Sequence, residues 1–477
     1  LTSNQISIET DALVVELDNT LIRTNILFEQ VLRLLKSKPL SVLHLIWWLL
    51  RGTGNLKSKL AIAAPIDPGT IPYRQSVLQL LVSAQACGKQ TILTSSSDSS
   101  VVQGISDHLG LFEHSLTSTD KLKLCGAVKV KTILHHLDGA SFTYLGYSPR
   151  DLPTWKSCHS ATLINPSGFL TRQVHSIGIP YSIVNDRKSS FRLILREMRV
   201  YQWVKNALLF VPLLAAHKFT DLELWKASTL AALSFSLVAS AVYVMNDLLD
   251  VDSDRAHTTK RKRPFASGDL PLQCGFALLP LLLSSGFLLA ESVGWPVVGW
   301  VSSYFCLNIL YSWKLKESPI IDTILLASFY TMRILTGSAA TGIVTSTWLL
   351  AFSIFLFFGL ALVKRYAELL RSDAHQPIKG RGYSHTDKLP VFVIGIASSL
   401  LAIVILVLYL NSQEVLRLYT QPERIWLITP VLLYWTSRLW LLANRGDVNE
   451  DAVLYSIKDS ISWAVLAASI CILYSAI

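Results

Sequence analysis

Cysteine is scarce in this chain, and its placement rules out the usual uses. The six (Cys87, Cys125, Cys158, Cys274, Cys306, Cys471) are scattered with no CxxC pair, which argues against a structural zinc site and a disulfide framework and fits a reduced environment. The first twenty residues lack the basic start and unbroken apolar core of a signal peptide; with no initiator Met, the start is read as trimmed. Charge is sparse too: Asp, Glu, Lys and Arg make up 16% of 477 residues against 51% hydrophobic, with a mean hydropathy of +0.41. That balance excludes an ordinary soluble protein and predicts a polytopic membrane protein of two or more domains. The formal charge is +10, yet the Lys and Arg lie mostly in short loops between apolar runs. This is a pattern of membrane topology, so the bilayer and not nucleic acid is the expected partner.

Residues 1–185 read as a soluble α/β domain. Short β-rich runs at 12–17, 90–93 and 141–145 alternate with helical stretches at 74–87 and 128–137, the rhythm of a parallel sheet covered by helices. Residues 40–51, LSVLHLIWWLLR, are too short to cross a bilayer. They form either a buried cap helix or an interfacial helix, with Trp47, Trp48 and Arg51 leaning towards the interface. Residues 186–203 form a basic linker and amphipathic lead-in. In 204–477 about nine apolar runs of spanning length follow, beginning near Val204, Ala227, Leu272, Pro296, Pro319, Thr347, Pro390, Arg424 and Ile461, the first broken by Pro212. Loops after the third and fifth runs hold no Lys or Arg, whereas those after the second, fourth, sixth and eighth hold Lys260 to Arg263, Lys314 and Lys316, Lys364 through Lys388, and Arg445 with Lys458. The asymmetry places the N-terminal domain and the Asp-rich loop on the cytoplasmic side, and a bacterial-type inner membrane is the expected location.

That loop, residues 246–268 (NDLLDVDSDRAHTTKRKRPFASG), is the densest chemistry in the chain. Asn246, Asp250 and Asp254 fall at i, i+4 and i+8, with Asp247 three before Asp250, so helical spacing aims their oxygens at one spot while Asp252 points away. Carboxylates at the foot of a spanning helix are costly unless a cation offsets them, and hard oxygens that leave room for phosphates suit Mg²⁺. Lys260, Arg261 and Arg263 follow as a phosphate-binding layer.

Two resemblances add to this. VVELDNTLIRTN, TILTSSSD, Lys129 or Lys131, and YLGYSPRDLP, in that order, resemble the motifs of the haloacid dehalogenase superfamily. A Rossmannoid α/β fold is implied, with Glu16, Asp18, Thr94, Lys129, Tyr147 and Asp151 on the motif positions. The family's nucleophilic Asp is replaced by Glu16 and its metal-binding acid after Gly146 by Tyr147, so a degenerate domain without phosphatase activity is expected. The membrane half resembles the UbiA superfamily of intramembrane prenyltransferases, whose first Asp-rich motif is matched by Asn246, Asp247, Asp250 and Asp254. It is most similar to the decaprenyl-phosphate phosphoribosyltransferase branch, through RVYQWVKN, HTTKRKRPFASG, YSWKLKESPIID with Arg333, VKRYAELL and NEDAVLYSIKDS.

The resemblance implies a Mg²⁺-dependent transfer of 5-phosphoribosyl from phosphoribosyl pyrophosphate (PRPP) to polyprenyl phosphate, towards lipid-linked pentose donors for cell-envelope glycans. Asn246, Asp247, Asp250 and Asp254 would bind the metal; Lys260, Arg261 and Arg263 the donor phosphates; Lys314, Lys316, Lys364 and Arg365 the lipid phosphate or the donor's 5-phosphate. Gln202, Lys205, Asn206 and Tyr311 would line the pocket. Asp322 and Arg333, eleven apart inside a membrane run, would form an ion pair or touch substrate. The loop matching the family's second Asp-rich motif offers Lys364, Arg365, Glu368 and Arg371, with Asp373 the nearest Asp. The alternatives are prenyl transfer from a prenyl diphosphate to an aromatic or other acceptor, and a transporter or lipid-binding scaffold. A homo-oligomer is compatible with each.

Overall fold

Strands with apolar residues on both faces need helices on both sides, and the N-terminal part of the chain supplies them. In the computed structural model, which describes residues 10–118, 124–186, 188–371, 381–412, 415, 418–448 and 451–477, six parallel strands form one sheet in the order β3-β2-β1-β4-β5-β6. They are β1 Ala12–Glu16, β2 Gln90–Asp98, β3 His114–Ser118, β4 Phe142–Gly146, β5 Ser160–Ile164 and β6 Tyr181–Val184. Leu13 and Val15 enter one core with Val77, Leu81, Val102 and Ile105, while Ala12 and Val14 enter another with Ile133, Trp155, Leu170 and Val174. The period-two alternation of β1 therefore builds both layers.

The helices of this part are α1 Ile26–Ser37, α2 Val42–Leu50, α3 Thr53–Ala63, α4 Gln75–Ala86, α5 Ser99–Leu109, α6 Gly126–Leu137, α7 Leu152–Trp155, α8 Gly168–Ile177 and α9 Ser190–Glu197. Sheet order reverses at β1, so the loops after β1 and β4 open a crevice at the carboxyl edge, the usual position of a site in such folds.

The rest is helical: α10 Val211–Ala215, α11 Leu222–Leu249, α12 Val251–Ala256, α13 Leu272–Val293, α14 Trp295–Trp313, α15 Ile321–Thr341, α16 Thr347–Arg371 and α17 Lys388–Leu410, followed by Ile428–Arg445, Ala452–Lys458 and Ser460–Ala476. All nine expected apolar runs are helical, but they are not nine equal spans. Among the described residues five helices are long and apolar enough to cross a membrane, and a sixth counts if Ala452–Lys458 and Ser460–Ala476, bent by 88°, are one broken span. The shortfall has a physical reason. Segment Val200–Ala215 is short, α14 is diluted by Asn308, Tyr and Ser, and α15 carries Asp322 and Arg333.

Two compact units share the chain: Leu1–Met198 with Tyr243–Leu279, and Arg199–Val242 with Pro280–Ile477. The end of α11, α12 and the start of α13 thus cluster with the α/β domain, where a cut near residue 185 would assign them wholly to the membrane domain.

Ion pairs explain the grouping. In the first unit Glu29 of α1 and Arg255 of α12 form a bidentate pair at 2.7 and 3.1 Å with both side chains buried. Arg33 holds Asp252 at 2.9 Å and Lys36 holds Asp250 at 3.2 Å. Phe28 meets Phe276 with ring centroids 5.1 Å apart. At Gly268, whose φ is +71°, a Cβ would stand 2.5 Å from that of Arg23, so only glycine admits this approach.

Candidate active site

The Asp-rich segment does not run as one helix. α11 ends at Leu249, Asp250 leaves helical geometry at φ −96° and ψ 8°, and α12 restarts at Val251. The i→i+4 backbone bonds still run from Asp250 to Asn246 at 2.9 Å and from Asp254 to Asp250 at 2.8 Å, but the side chains do not all aim at one spot. Asp247 and Asp254, both buried, converge on one nitrogen, Nη1 of Arg263, at 2.9 and 2.7 Å. Asp250 instead turns to Lys36, and Asp252 points away as expected, to Arg33. Burial raises the Asp254 carboxyl above its usual range, with Arg263 opposing. Among the described residues no three acids, His or Cys form a ready-made metal cluster. Two carboxylates sharing one cationic centre nevertheless fit Mg²⁺, which takes one or two protein carboxylates and fills its remaining octahedral positions with water and phosphate oxygens. Asn246 is half-buried beside them in sequence, and Lys260 and Arg261 are exposed.

The second unit holds two polar networks inside the apolar helices. In one, Arg365 is fully buried and pairs with Asp322 at 2.5 Å and with Glu368. Tyr383 donates to the other oxygen of Asp322 at 2.7 Å, and Arg381 donates to Tyr311 at 2.6 Å. Gly382 allows this loop to seat, since a Cβ there would lie 2.1 Å from the Glu317 carbonyl oxygen. Arg381 and Tyr383 escaped sequence reasoning; the glycine-flanked basic stretch KGRGY was the available signal. Arg365, expected among the lipid-phosphate cations, is committed to carboxylates, whereas Lys364 and Lys316 are half-buried and Lys314 is exposed. Asp373 lies outside the described residues.

In the other network Arg333 does not meet Asp322, despite their helical spacing. Its Nε donates to Asn206 at 2.8 Å, Asn206 donates to Ser236 at 2.7 Å, and the guanidinium lies 4.8 Å from the Phe235 ring centroid and 5.4 Å from that of Tyr304. Arg333 is buried, and among the described residues no carboxylate lies within ion-pair distance of it. Lys205 pairs with Asp451 at 3.0 Å, and Tyr330 donates to the same carboxylate at 3.1 Å. Asp451, from the NEDAVLYSIKDS piece, is the acid that sequence reasoning left unassigned. Gln202 is half-buried on the same segment as Lys205 and Asn206. A buried arginine balanced by aromatic faces and an amide, without an anion, is suited to an anionic ligand.

The crevice of the α/β domain is filled from within. Glu16, at the end of β1, accepts from Lys129, from the Tyr144 hydroxyl at 3.1 Å and, more weakly, from Thr94 at 3.4 Å. The same Tyr144 hydroxyl oxygen stands 2.9 Å from Asp151, so its one proton serves either carboxylate in turn. The second Asp151 oxygen accepts the backbone N–H groups of Tyr147 and Ser148 at 3.2 and 3.1 Å, closing a capping box. Asp18 accepts from the Ile26 N–H at 2.8 Å. Burial pushes Glu16 up to about 6 against the pull of Lys129, and raises Asp18 as well. Of the two candidate lysines, Lys129 meets these carboxylates and Lys131 is exposed. Tyr144, which the sequence did not flag, stands with its hydroxyl where Glu16, Asp151 and Lys129 meet.

Relatives agree with this two-part chain. An uncharacterized protein of Sinorhizobium fredii, y4nM, is 32% identical across 95% of this chain and 88% of its own length. Nodulation protein NoeC of Azorhizobium caulinodans is 35% identical over 58% of this chain and 90% of its own. The decaprenyl-phosphate phosphoribosyltransferase of Corynebacterium glutamicum is 35% identical over 37% of this chain and 54% of its own. The model of the UbiA prenyltransferase family matches residues 207–466, more than half of the chain, and the protein belongs to that family.

Proposed function

We propose that this membrane transferase moves 5-phosphoribosyl from PRPP to polyprenyl phosphate, an early step towards a lipid-linked pentose donor for cell-envelope glycans. The observation that carries this reading is the charge balance at the foot of α16. Ionising an allylic diphosphate calls for a second acid cluster to hold metal, but here Asp322 and Glu368 are both spent on Arg365. With Lys364 beside them, the foot of α16 suits an anionic acceptor better than a second metal. The partial relatives named decaprenyl-phosphate phosphoribosyltransferases support the same acceptor class and transferred group.

One oxygen of the polyprenyl phosphate attacks C1 of the ribose, and the bond from C1 to the diphosphate oxygen breaks. The acceptor oxygen is already ionised at neutral pH, so no strong base is needed. Asp247 and Asp254 would hold Mg²⁺, which when bound neutralises charge on the departing diphosphate. Asn246 and Asp250 lie within the same motif, the latter drawn to Lys36. Arg263, already between the two carboxylates, with Lys260 and Arg261 binds donor phosphates. Arg333 and Lys205 hold a buried anionic group, and Lys314, Lys316 and Lys364 hold the lipid phosphate. The α/β domain and this motif lie on the cytoplasmic side, as the loop cations favour.

Purified protein in lipid, given radiolabelled PRPP and polyprenyl phosphate, is expected to move label into the lipid phase only when divalent metal is present. Label that stays aqueous, together with turnover of a prenyl diphosphate on an aromatic acceptor, would establish the second reading, which the family's prenyltransferases favour.

A further inference from the structure

Helix α2 has almost nothing to pack against. Its sequence, VLHLIWWLL, is apolar at every position but His44, yet it contributes no buried residue. Only Leu45 and Trp48, three apart on one face, lean on the small cluster of Leu34, Leu56 and Leu60. The outward face is bare: Leu43 is 73% exposed, Leu50 82%, and Leu40 just before the helix 87%, with Ile46, Trp47 and Leu49 each above half. An apolar helix of this kind is stable only when something covers it.

Three observations say what does. First, α1 touches the feet of membrane-entering helices within the same compact unit: Phe28 meets Phe276 of α13, and Lys36, next to the last residue of α1, holds Asp250 directly after α11. α2 begins at Val42, five residues beyond Ser37, so it starts within roughly 20 Å of that boundary. Second, no acid occurs between Glu29 and Asp67, a stretch that carries six Lys and Arg; of these Lys38, Arg51 and Lys59 are exposed at the α2–α3 hairpin. Third, the Arg51 guanidinium lies 4.4 Å from the Trp47 ring centroid, joining an amphipathic ring to a cation at one helix end. Nine residues span about 13 Å, too short to cross a bilayer.

We infer that α2 lies in the headgroup–acyl boundary of the bilayer, with Leu43, Ile46, Trp47 and Leu50 in the lipid and the hairpin's cations on anionic headgroups, fastening the α/β domain to the membrane surface. The test uses the full chain in nanodiscs of phosphatidylcholine with phosphatidylglycerol, with the native cysteines replaced. Spin labels are placed singly at Leu43→Cys, Ile46→Cys and Leu50→Cys, with Phe169→Cys as an exposed site on the same domain. Collision with oxygen is expected to exceed collision with a water-soluble nickel chelate at the three α2 sites, and the reverse at 169. In the background of Leu43→Glu with Leu50→Glu, both exposed in the fold, chelate access at 46 is expected to rise severalfold. Chelate access at 43, 46 and 50 equal to that at 169 would overturn the inference. So would dipolar broadening between copies, which would mean that a second chain covers the helix.

Discussion

Asp247 and Asp254 are seven residues apart yet share one guanidinium nitrogen, so each tolerates burial only while a cation stands between them. Asp254→Asn keeps the shape and removes the charge; turnover is expected to fall on the order of 100-fold while the thermal transition changes little, measured by lipid-phase labelling alongside melting in detergent. Undiminished activity at limiting Mg²⁺ would remove Asp254 from the metal site. At the other site, Glu16→Asp with Tyr147→Asp supplies the acids of the dehalogenase-like motifs that these strands resemble in sequence. It is expected to yield no phosphatase activity, because the Tyr144 hydroxyl still bridges the residue-16 carboxylate and Asp151. Adding Tyr144→Val opens that point, and metal-dependent hydrolysis of p-nitrophenyl phosphate should appear only in the triple variant. Activity in the double variant would show that Tyr144 is no obstacle. Glu16 and Tyr147 drew notice because they depart from the motif that the sequence otherwise resembles. Tyr144 was not, since an aromatic residue in a strand reads as core packing.

The segment Val200–Phe210 is an eleven-residue 3-10 helix, far longer than the usual short runs of that geometry, and it carries Gln202, Lys205 and Asn206. Gly337 on α15 lets it come close, since a Cβ there would stand 2.0 Å from the Leu209 carbonyl oxygen. Small residues let helix backbones close up in membranes, and here the closeness brings Asn206 to Arg333. Gly337→Ala should therefore lower both the melting temperature and the lipid-labelling rate by displacing the segment, at a cost of roughly 1–3 kcal/mol, without touching a charged group. A fully active variant would show that the approach is not needed. Element types and their order were readable from apolar periodicity, as β1, α4 and the long helices show. Pairing was not: spacing alone put Asp322 and Arg333 on neighbouring faces, but the partners Arg365 and Asn206 come from other helices, and periodicity carries no information about which helix lies opposite.

Across the whole molecule, the division into α/β and membrane halves was visible in composition, whereas the grouping of Tyr243–Leu279 with the former was not, because it depends on three charged residues of α1 that look like any solvated helix face. Replacing Glu29 with Arg should set two buried cations against each other and release the docked segment, seen as faster amide exchange across 243–279; Arg255→Glu in the same chain should restore protection. Failure of the swap to restore it would mean that the pair is incidental. The bidentate Glu29–Arg255 contact also bears on what the rest of the chain would be without its α/β domain. Through Glu29, Arg33 and Lys36 the α/β domain neutralises charges of the segment that carries the Asp-rich motif. A chain cut back to its membrane helices would leave Asp250, Asp252 and Arg255 without their α1 partners, so charge alone makes the α/β domain more than an appendage of the segment it neutralises.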